Sequence, residues 1–179
     1  MSVTWQPMLH ELAGQRMGRL TAFATMLAGP SEADDLIQEA VIAVFSRQRR
    51  FDSVAQAEQY VRRAIATRFI DAKRKEKADR ERARRNARPE AVPDATERIV
   101  AAHTVDAALA QLPPRVRACV VLRYLEDLSV HETAHTLGLS EGAVKRYVSD
   151  GLKAMNAYLG TGFSDVTTET ASTAERSAR

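Results

Sequence analysis

The sequence predicts an all-α fold: two small helical domains joined by a flexible linker and followed by a disordered C-terminal tail. Three observations carry this expectation. Alanine, arginine, glutamate and leucine are abundant while turn residues are few, with 8 Gly and 6 Pro in 179 residues, a composition of helix formers. Apolar residues recur at three- and four-residue spacing from Leu9 to Phe69 and again from Ile99 to Met155, and no stretch of any length alternates as a strand does. Between the two periodic stretches, Pro89 and Pro93 punctuate the polar run RPEAVPDATE, which reads as a linker. The chain accordingly divides into a first unit over 8–78, a linker over 79–96, a second unit over 97–159 and a tail over 160–179, the last too polar to fold alone.

The first helix is expected from about Met8 to Ala28, with Leu9, Leu12, Leu20, Phe23 and Leu27 near one face and Gly29-Pro30 as its stop. Ser31 is expected to cap the second helix, with Glu32, Asp34 and Asp35 in its first turn, where the helix dipole favours anions. Its apolar stripe is Leu36, Ile37, Ala40, Val41, Val44 and Phe45; Asp35, Gln38 and Glu39 lie opposite. A basic loop, RQRRFDS, precedes a third helix from near Gln56, with Tyr60, Val61, Ala64, Ile65 and Phe69 turned inward. After Ala72 the apolar stripe stops while helix formers continue in KRKEKADRERARR, so this helix should leave its domain and run into solvent.

In the second unit Ile99, Val100, Val105, Ala108 and Leu109 are periodic from near Glu97. Pro113-Pro114 breaks that helix and Val116 to Tyr124 forms the next. Ser129 with Glu132 makes a capping box for a short helix. Leu137-Gly138-Leu139 is then a tight turn, and Ser140 caps a final helix lined by Val144, Val148, Leu152 and Met155.

Composition narrows the function classes. The longest apolar runs, AVIAVF at 40–45 and CVVL at 119–122, are far too short to cross a bilayer, and the N-terminus lacks the pattern of a signal peptide. The one cysteine, Cys119, forms no internal disulfide and sits in an apolar run as a buried small hydrophobe. A cytoplasmic protein without membrane contact is expected. The net charge of +3 is unevenly spread: residues 61–88 hold twelve Lys or Arg against four acids, net +8, while 1–60 and 89–160 are each −2 and the tail −1. Such a segment is either a solvated helical surface or a surface for a polyanion.

His131-Glu132-Thr133-Ala134-His135 fits H-E-x-x-H, with Gly138 and Glu141 near the places of a longer zinc-protease pattern. Two histidines four apart share a helix face and can reach one ion. Yet such a protease also needs a substrate-binding sheet and a methionine turn, and the sequence has no strand pattern. The same residues read more completely as a helix-turn-helix, with Val130, Ala134, Leu137, Val144 and Val148 between the helices, and His131 and His135 beside that stripe. No catalytic residue, metal ligand or cofactor site is expected, and a zinc hydrolase is the remote alternative.

DDLIQEAVIAVF (34–45), YVRRAIATRFIDAKR (60–74) and LPPRVRACVVLRYLEDLSVHETAHTLGLSEGAVKRYVSDGLKAM (112–155) together resemble an extracytoplasmic-function sigma factor of bacterial RNA polymerase, of the sigma-70 family. The resemblance implies a non-enzymatic subunit directing promoter-specific initiation, with core polymerase (β and β′ subunits) and promoter DNA as partners, and an anti-sigma factor as a further one. It implies that Asp34, Asp35, Gln38 and Glu39 dock on the polymerase. Phe51, Tyr60, Arg62, Arg63, Thr67, Arg68, Lys73 and Arg74 would melt and read the −10 element, a basic track with aromatics suited to an unstacked strand. Ser140, Glu141, Lys145, Arg146, Ser149 and Asp150 would face the −35 element in the major groove. Asp150 stands where relatives often have a basic residue, Thr67 where asparagine is frequent and Thr133 where an aliphatic is usual, so the promoter sequence itself stays unread. A stand-alone LuxR-type regulator is the main alternative, because the second unit alone resembles that class too. Units of this size leave much apolar surface uncovered, so Leu112–Tyr124 and the Leu36–Phe45 stripe are expected to seek cover in the free chain, from a partner or from each other.

Overall fold

The computed structural model describes residues 5–47, 50–86 and 104–161, and among these every regular element is helical. They are α1 (Gln6–Gln15), α2 (Met17–Ala28), α3 (Pro30–Phe45), α4 (Val54–Asn86), α5 (Val105–Ala110), α6 (Pro114–Tyr124), α7 (Val130–Leu137) and α8 (Glu141–Leu159). The tail beyond 161 and linker residues 87–96 lie outside the described residues.

The single helix expected over Met8–Ala28 is two. The chain breaks at Arg16 (φ −123°, ψ −9°), between Gly14 and Gly18, poor helix formers that make an interruption cheap. Leu12 and Leu20 would lie roughly 80° apart on an unbroken helix; the break lets both reach full burial. The start of α3 also differs from expectation. Its N-cap is Gly29 in a positive-φ conformation (φ 85°), Pro30 is the first helical residue, and Ser31 makes no cap. A proline has its φ preset for that position and lacks the N–H that would need a cap. The start one residue earlier leaves Glu32 as the acid of the first turn, with Asp34 and Asp35 beyond it.

Helix α3 buries Leu36, Ile37, Ala40, Val44 and Phe45, and α4 buries Ala57, Val61, Ile65 and Phe69 against them. The α3 stripe is therefore covered inside its own unit, and the expectation that it seeks an outside partner does not hold. Tyr60, expected inward, is 38% exposed. Beyond Phe69, α4 continues as a helix to Asn86, with every side chain from Asp79 to Arg85 exposed, so residues 79–86, expected as linker, prolong it. Its surface is stitched by Lys73–Glu76, Arg80–Glu76 and Arg82–Asp79 pairs at helical spacing.

The described part of the second unit begins at Thr104, whose hydroxyl accepts from the Ala107 N–H and caps α5; residues 97–103, expected to start that helix, lie outside the described residues. Five consecutive residues of α6, Ala118 to Leu122, are buried, which is the mark of a helix covered all round. On one side α6 meets α7 and α8; on the other it meets α2 and α4 of the first unit. Leu109, Leu112, Val120 and Val121 merge with the core of the first unit, while Cys119, Ala134, Val144 and Val148 form a separate small core. Burial pushes the Cys119 thiol up to about 12. The Arg117 guanidinium crosses the junction, its Nε donating to the Met26 carbonyl at 2.8 Å with its carbon 5.8 Å from the Phe69 ring centre. The two units thus close on one another.

Two positions set the packing of the second unit. A Cβ at Gly151 would stand 2.5 Å from Val120 Cγ2 and 2.9 Å from Val116 Cγ1, so α6 and α8 approach through that glycine. Gly151→Ala should lower stability by about 1–3 kcal/mol through overpacking, read as a fall in the urea midpoint at unchanged slope. Thr133 is fully buried and its hydroxyl meets no hydrogen-bond partner. Thr133→Val keeps the shape and removes the unsatisfied group, so the same titration should show a gain of about 1 kcal/mol; a loss would mean the hydroxyl is satisfied in solution.

Candidate nucleic-acid interface

Helix α3 presents Asp34, Asp35, Gln38 and Glu39 to solvent. Asp35, Gln38 and Glu39 share a face with Ile42, which is 65% exposed and sits at the i+7 place of the series Asp35, Gln38, Glu39. Sequence reasoning missed Ile42 because it followed the buried stripe; its spacing from Asp35 was the available signal. The face is acidic, with the exposed Ile42 at its C-terminal end.

The residues expected to meet a single strand separate into three groups on α4. Tyr60, Arg63, Thr67 and Arg74 recur at i, i+3, i+7 and i+14, one outward stripe. Phe51 leads into it, packed between Phe45 (5.3 Å between ring centres) and Tyr60 (5.6 Å). The loop expected from Arg50 to Gln56 is anchored at its end, where the Gln56 side chain accepts from the Asp52 N–H and Ser53 Oγ from the Gln56 N–H. The Thr67 hydroxyl is engaged with its own helix, donating to the Arg63 carbonyl at 2.9 Å.

Arg68 and Lys73 turn toward α3 instead, pairing with Glu39 at 3.1 Å and Glu32 at 3.0 Å. Both pairs are partly solvated, so each restrains a side chain without contributing much stability. Burial opposes the charge on the Lys73 ammonium, but the carboxylates of Glu32 and Glu76 together outweigh it and raise the group above its ordinary value. Arg62 is the outlier: its side chain is only 9% exposed and lies inside the junction between the two units.

In the helix-turn-helix the capping box is complete, with Ser129 Oγ accepting from the Glu132 N–H and the Glu132 carboxylate from the Ser129 N–H. These bonds hold the Glu132 carboxyl below the usual range. Gly138 makes the turn at φ 64°, a conformation glycine adopts without strain. Ser140 Oγ accepts from the Ala143 N–H and so caps α8, and Glu141 is hydrogen-bonded to His131 Nδ1 at 3.0 Å, fastening the two helices at their exposed edge. Ser140 and Glu141, both expected at DNA, therefore also hold the motif together. Lys145, Arg146 and Asp150 are exposed and Ser149 half-exposed along one side of α8, with the Arg146 guanidinium over the Tyr147 ring at 5.2 Å. His131 is 80% exposed, and among the described residues no three His, Cys, Asp or Glu side chains gather as a metal-ligand set. No helix among them is long and apolar enough to cross a membrane.

At the junction, Arg62 donates to Glu58 Oε1 at 2.7 Å and stands 2.7 Å from Glu126 Oε2, which lies on the loop between α6 and α7. Arg16 of the α1–α2 break adds a second cation, 3.6 Å from Glu58. Glu126 has a side chain only 4% exposed, and its Oε2 receives charge but no aligned hydrogen bond. Burial pushes the Glu126 carboxyl up, only partly opposed by Arg62. Beside this cluster a polar cleft of about 440 Å³ separates α4 from α7, with Gln59, Tyr60 and Arg63 on one wall and His131, His135 and Thr136 on the other. A second, apolar groove of about 360 Å³ opens between α5, α6 and α8, lined by Val105, Val121, Tyr124, Leu125, Met155 and Leu159.

Comparison with known proteins accounts for this arrangement. The model of sigma-70 region 2 matches residues 5–79 and that of sigma-70 region 4 matches residues 102–155. The ECF RNA polymerase sigma factor SigE of Mycolicibacterium smegmatis is 31% identical over 168 residues, covering 86% of this chain and 62% of that protein. The RNA polymerase sigma-E factor of Streptomyces coelicolor is 32% identical over 124 residues, 67% of each chain. SigF of Caulobacter vibrioides, another ECF sigma factor, is 31% identical over 130 residues, covering 73% of this chain and 72% of that one. The chain thus spans about two thirds of the length of these relatives, and less of SigE. Among solved structures, the sigma factor RpoE of Bartonella quintana, in complex with the anti-sigma factor NepR, shares the fold at a TM-score of 0.66 and 19% identity, over 88% of this chain and 99% of that one. With both conserved regions present in order, the chain belongs to the sigma-70 family, among its extracytoplasmic-function sigma factors.

Proposed function

We propose that this chain directs promoter-specific initiation by binding core RNA polymerase through α3, holding the −10 strand along the outward stripe of α4 and reading the −35 element with α8. The observation that carries the proposal is the pairing, in one small unit, of an acidic face around Ile42 with a neighbouring stripe of Tyr60, Arg63 and Arg74. A stand-alone helix-turn-helix regulator has use for neither. The acidic face suits a basic protein surface, and the stripe suits an unstacked strand that needs cations for phosphates and a ring for a base. The apolar groove beside α5 is a candidate second polymerase contact, since an apolar helix edge laid in it would cover surface otherwise left to water. Work of this kind places the protein in the cytoplasm. The neighbour's complex supports an anti-sigma domain as a further partner.

Transcription in vitro with core polymerase over a promoter library tests the reading, and gel shifts with and without core separate it from the LuxR-type alternative. Asp35→Lys with Glu39→Lys should weaken core binding by roughly tenfold or more, about 1.4 kcal/mol, while helix content stays native and stability moves by no more than about 0.5 kcal/mol. Undiminished co-purification with polymerase would remove α3 from the docking surface.

Lys145→Ala and Arg146→Ala should each lower output from promoters that depend on the −35 element, by about 1–3 kcal/mol where the side chain reaches a base. Normal transcription by both variants would mean that α8 does not face DNA.

A further inference from the structure

We propose that the segment following α8 is the resident occupant of the apolar groove between α5, α6 and α8, with the Phe163 ring seated against Met26, Tyr124 and Met155. The inference goes beyond the proposed function: it concerns what fills the groove before any partner reaches it.

The groove has the makeup of a covered surface. Among the described residues five large apolar side chains stand exposed, and three of them, Val105 (54%), Tyr124 (50%) and Leu125 (44%), line this one cleft of about 360 Å³. Single exposed apolar residues are ordinary, whereas a contiguous set around a concave surface marks a place that something occupies. Its described lining carries no charged side chain, and Asn156 supplies the one amide. A strongly polar strand would lose hydration there without gaining a partner. An aromatic or aliphatic side chain loses nothing.

The way α8 ends brings the chain to the wall of this groove. Gly160 adopts the left-handed conformation (φ 66°), and the N–H groups of Gly160 and Thr161 both donate to the Asn156 carbonyl. The Thr161 hydroxyl donates to Asn156 Oδ1 at 3.2 Å. Thr161, the last described residue, is thus fastened to a residue that lines the groove together with Met155 and Leu159. Helix ends of this kind commonly carry an apolar contact back onto the last turns of the helix. Thr161 is too polar to supply it, and the next apolar side chain is Phe163. Two residues span at most about 7 Å, so Phe163 starts within reach of the groove. Val166 follows three residues later, and from there to Arg179 no apolar side chain is larger than alanine. The large apolar residues of the segment are therefore confined to the stretch that can reach the groove. Tethering to α8 gives them a high effective concentration there, and a partner that uses the groove must displace them.

The test uses the full chain with isotope-labelled methionine methyl groups. Met26 and Met155 line the groove, whereas Met8 and Met17 pack on the core outside its lining. Phe163→Ser should shift the Met26 and Met155 signals and leave those of Met8 and Met17 in place. The same variant should bind a fluorescent apolar dye roughly twofold more than the parent. Phe163→Leu, which keeps an apolar side chain, should return the dye signal to the parent's level. Phe163 follows the last packed helix, and circular dichroism matching the parent's confirms that each variant is folded. If Phe163→Ser leaves Met26 and Met155 unmoved, the segment does not lie in the groove and the proposal is overturned. If those signals move instead with protein concentration, in step with a doubling of mass by light scattering, a second copy covers the groove and the proposal is equally overturned. Signals that move only when core polymerase is added would mean that the groove stands open for that partner, and the segment again has no place in it.

Discussion

Helix α6 is the element on which the rest of the structure depends. Pro113-Pro114 starts it and Gly151 lets α8 lie close along it, so its inner side is fixed by the helix-turn-helix. Its outer side is covered by α2 and α4 of the first unit. A unit of some sixty residues cannot cover both sides of a helix this apolar. The closed arrangement of the two units follows from that shortage more than from any charge between them.

Charge then decides which side chains the surfaces keep exposed. Arg16, Glu58, Arg62 and Glu126 form a neutral group at the junction, and a buried group of this kind adds little net stability because desolvation consumes most of the attraction. Its effect is selective. It draws Arg62 inward while Arg63, one residue on, stays exposed on the outward stripe. The same sorting occurs along α4, where Glu39 and Glu32 take Arg68 and Lys73 toward α3 and leave Arg74 outside. A run that reads in sequence as one basic track is, in space, a narrower stripe flanked by paired cations.

That sorting marks the limit of what the sequence made legible. Helix identities, the capping box at Ser129, the turn at Gly138 and the long solvent-borne end of α4 all follow from local chemistry: propensity, caps and spacing acting within a few residues. The break at Arg16 was missed because Gly14 and Gly18 only permit it; the demand comes from burying both Leu12 and Leu20 in a core built from residues distant in sequence. Ile42 was missed because the apolar stripe of α3 already satisfied the helical rhythm, and an exposed isoleucine adds nothing to that rhythm. The burial of Arg62 is illegible for a similar reason, since Glu126 lies 64 residues further on and no local pattern joins them. The zinc-like HETAH shows the converse. A local match is cheap when only three positions are fixed, and here His131 bonds to the first turn of α8 while the remainder of the segment builds a helix-turn-helix.

The same physics ties docking to promoter reading. The proposed docking face on α3, with Ile42 and the acids beside it, is exposed and needs no opening to begin an encounter. The proposed −10 surface is less open, since Tyr60 and Arg63 border the cleft against α7 and Arg62 is paired with Glu58 and Glu126. On that proposed reading the fold leaves the protein-docking face more open than the strand-binding stripe, so protein contact would come before contact with nucleic acid.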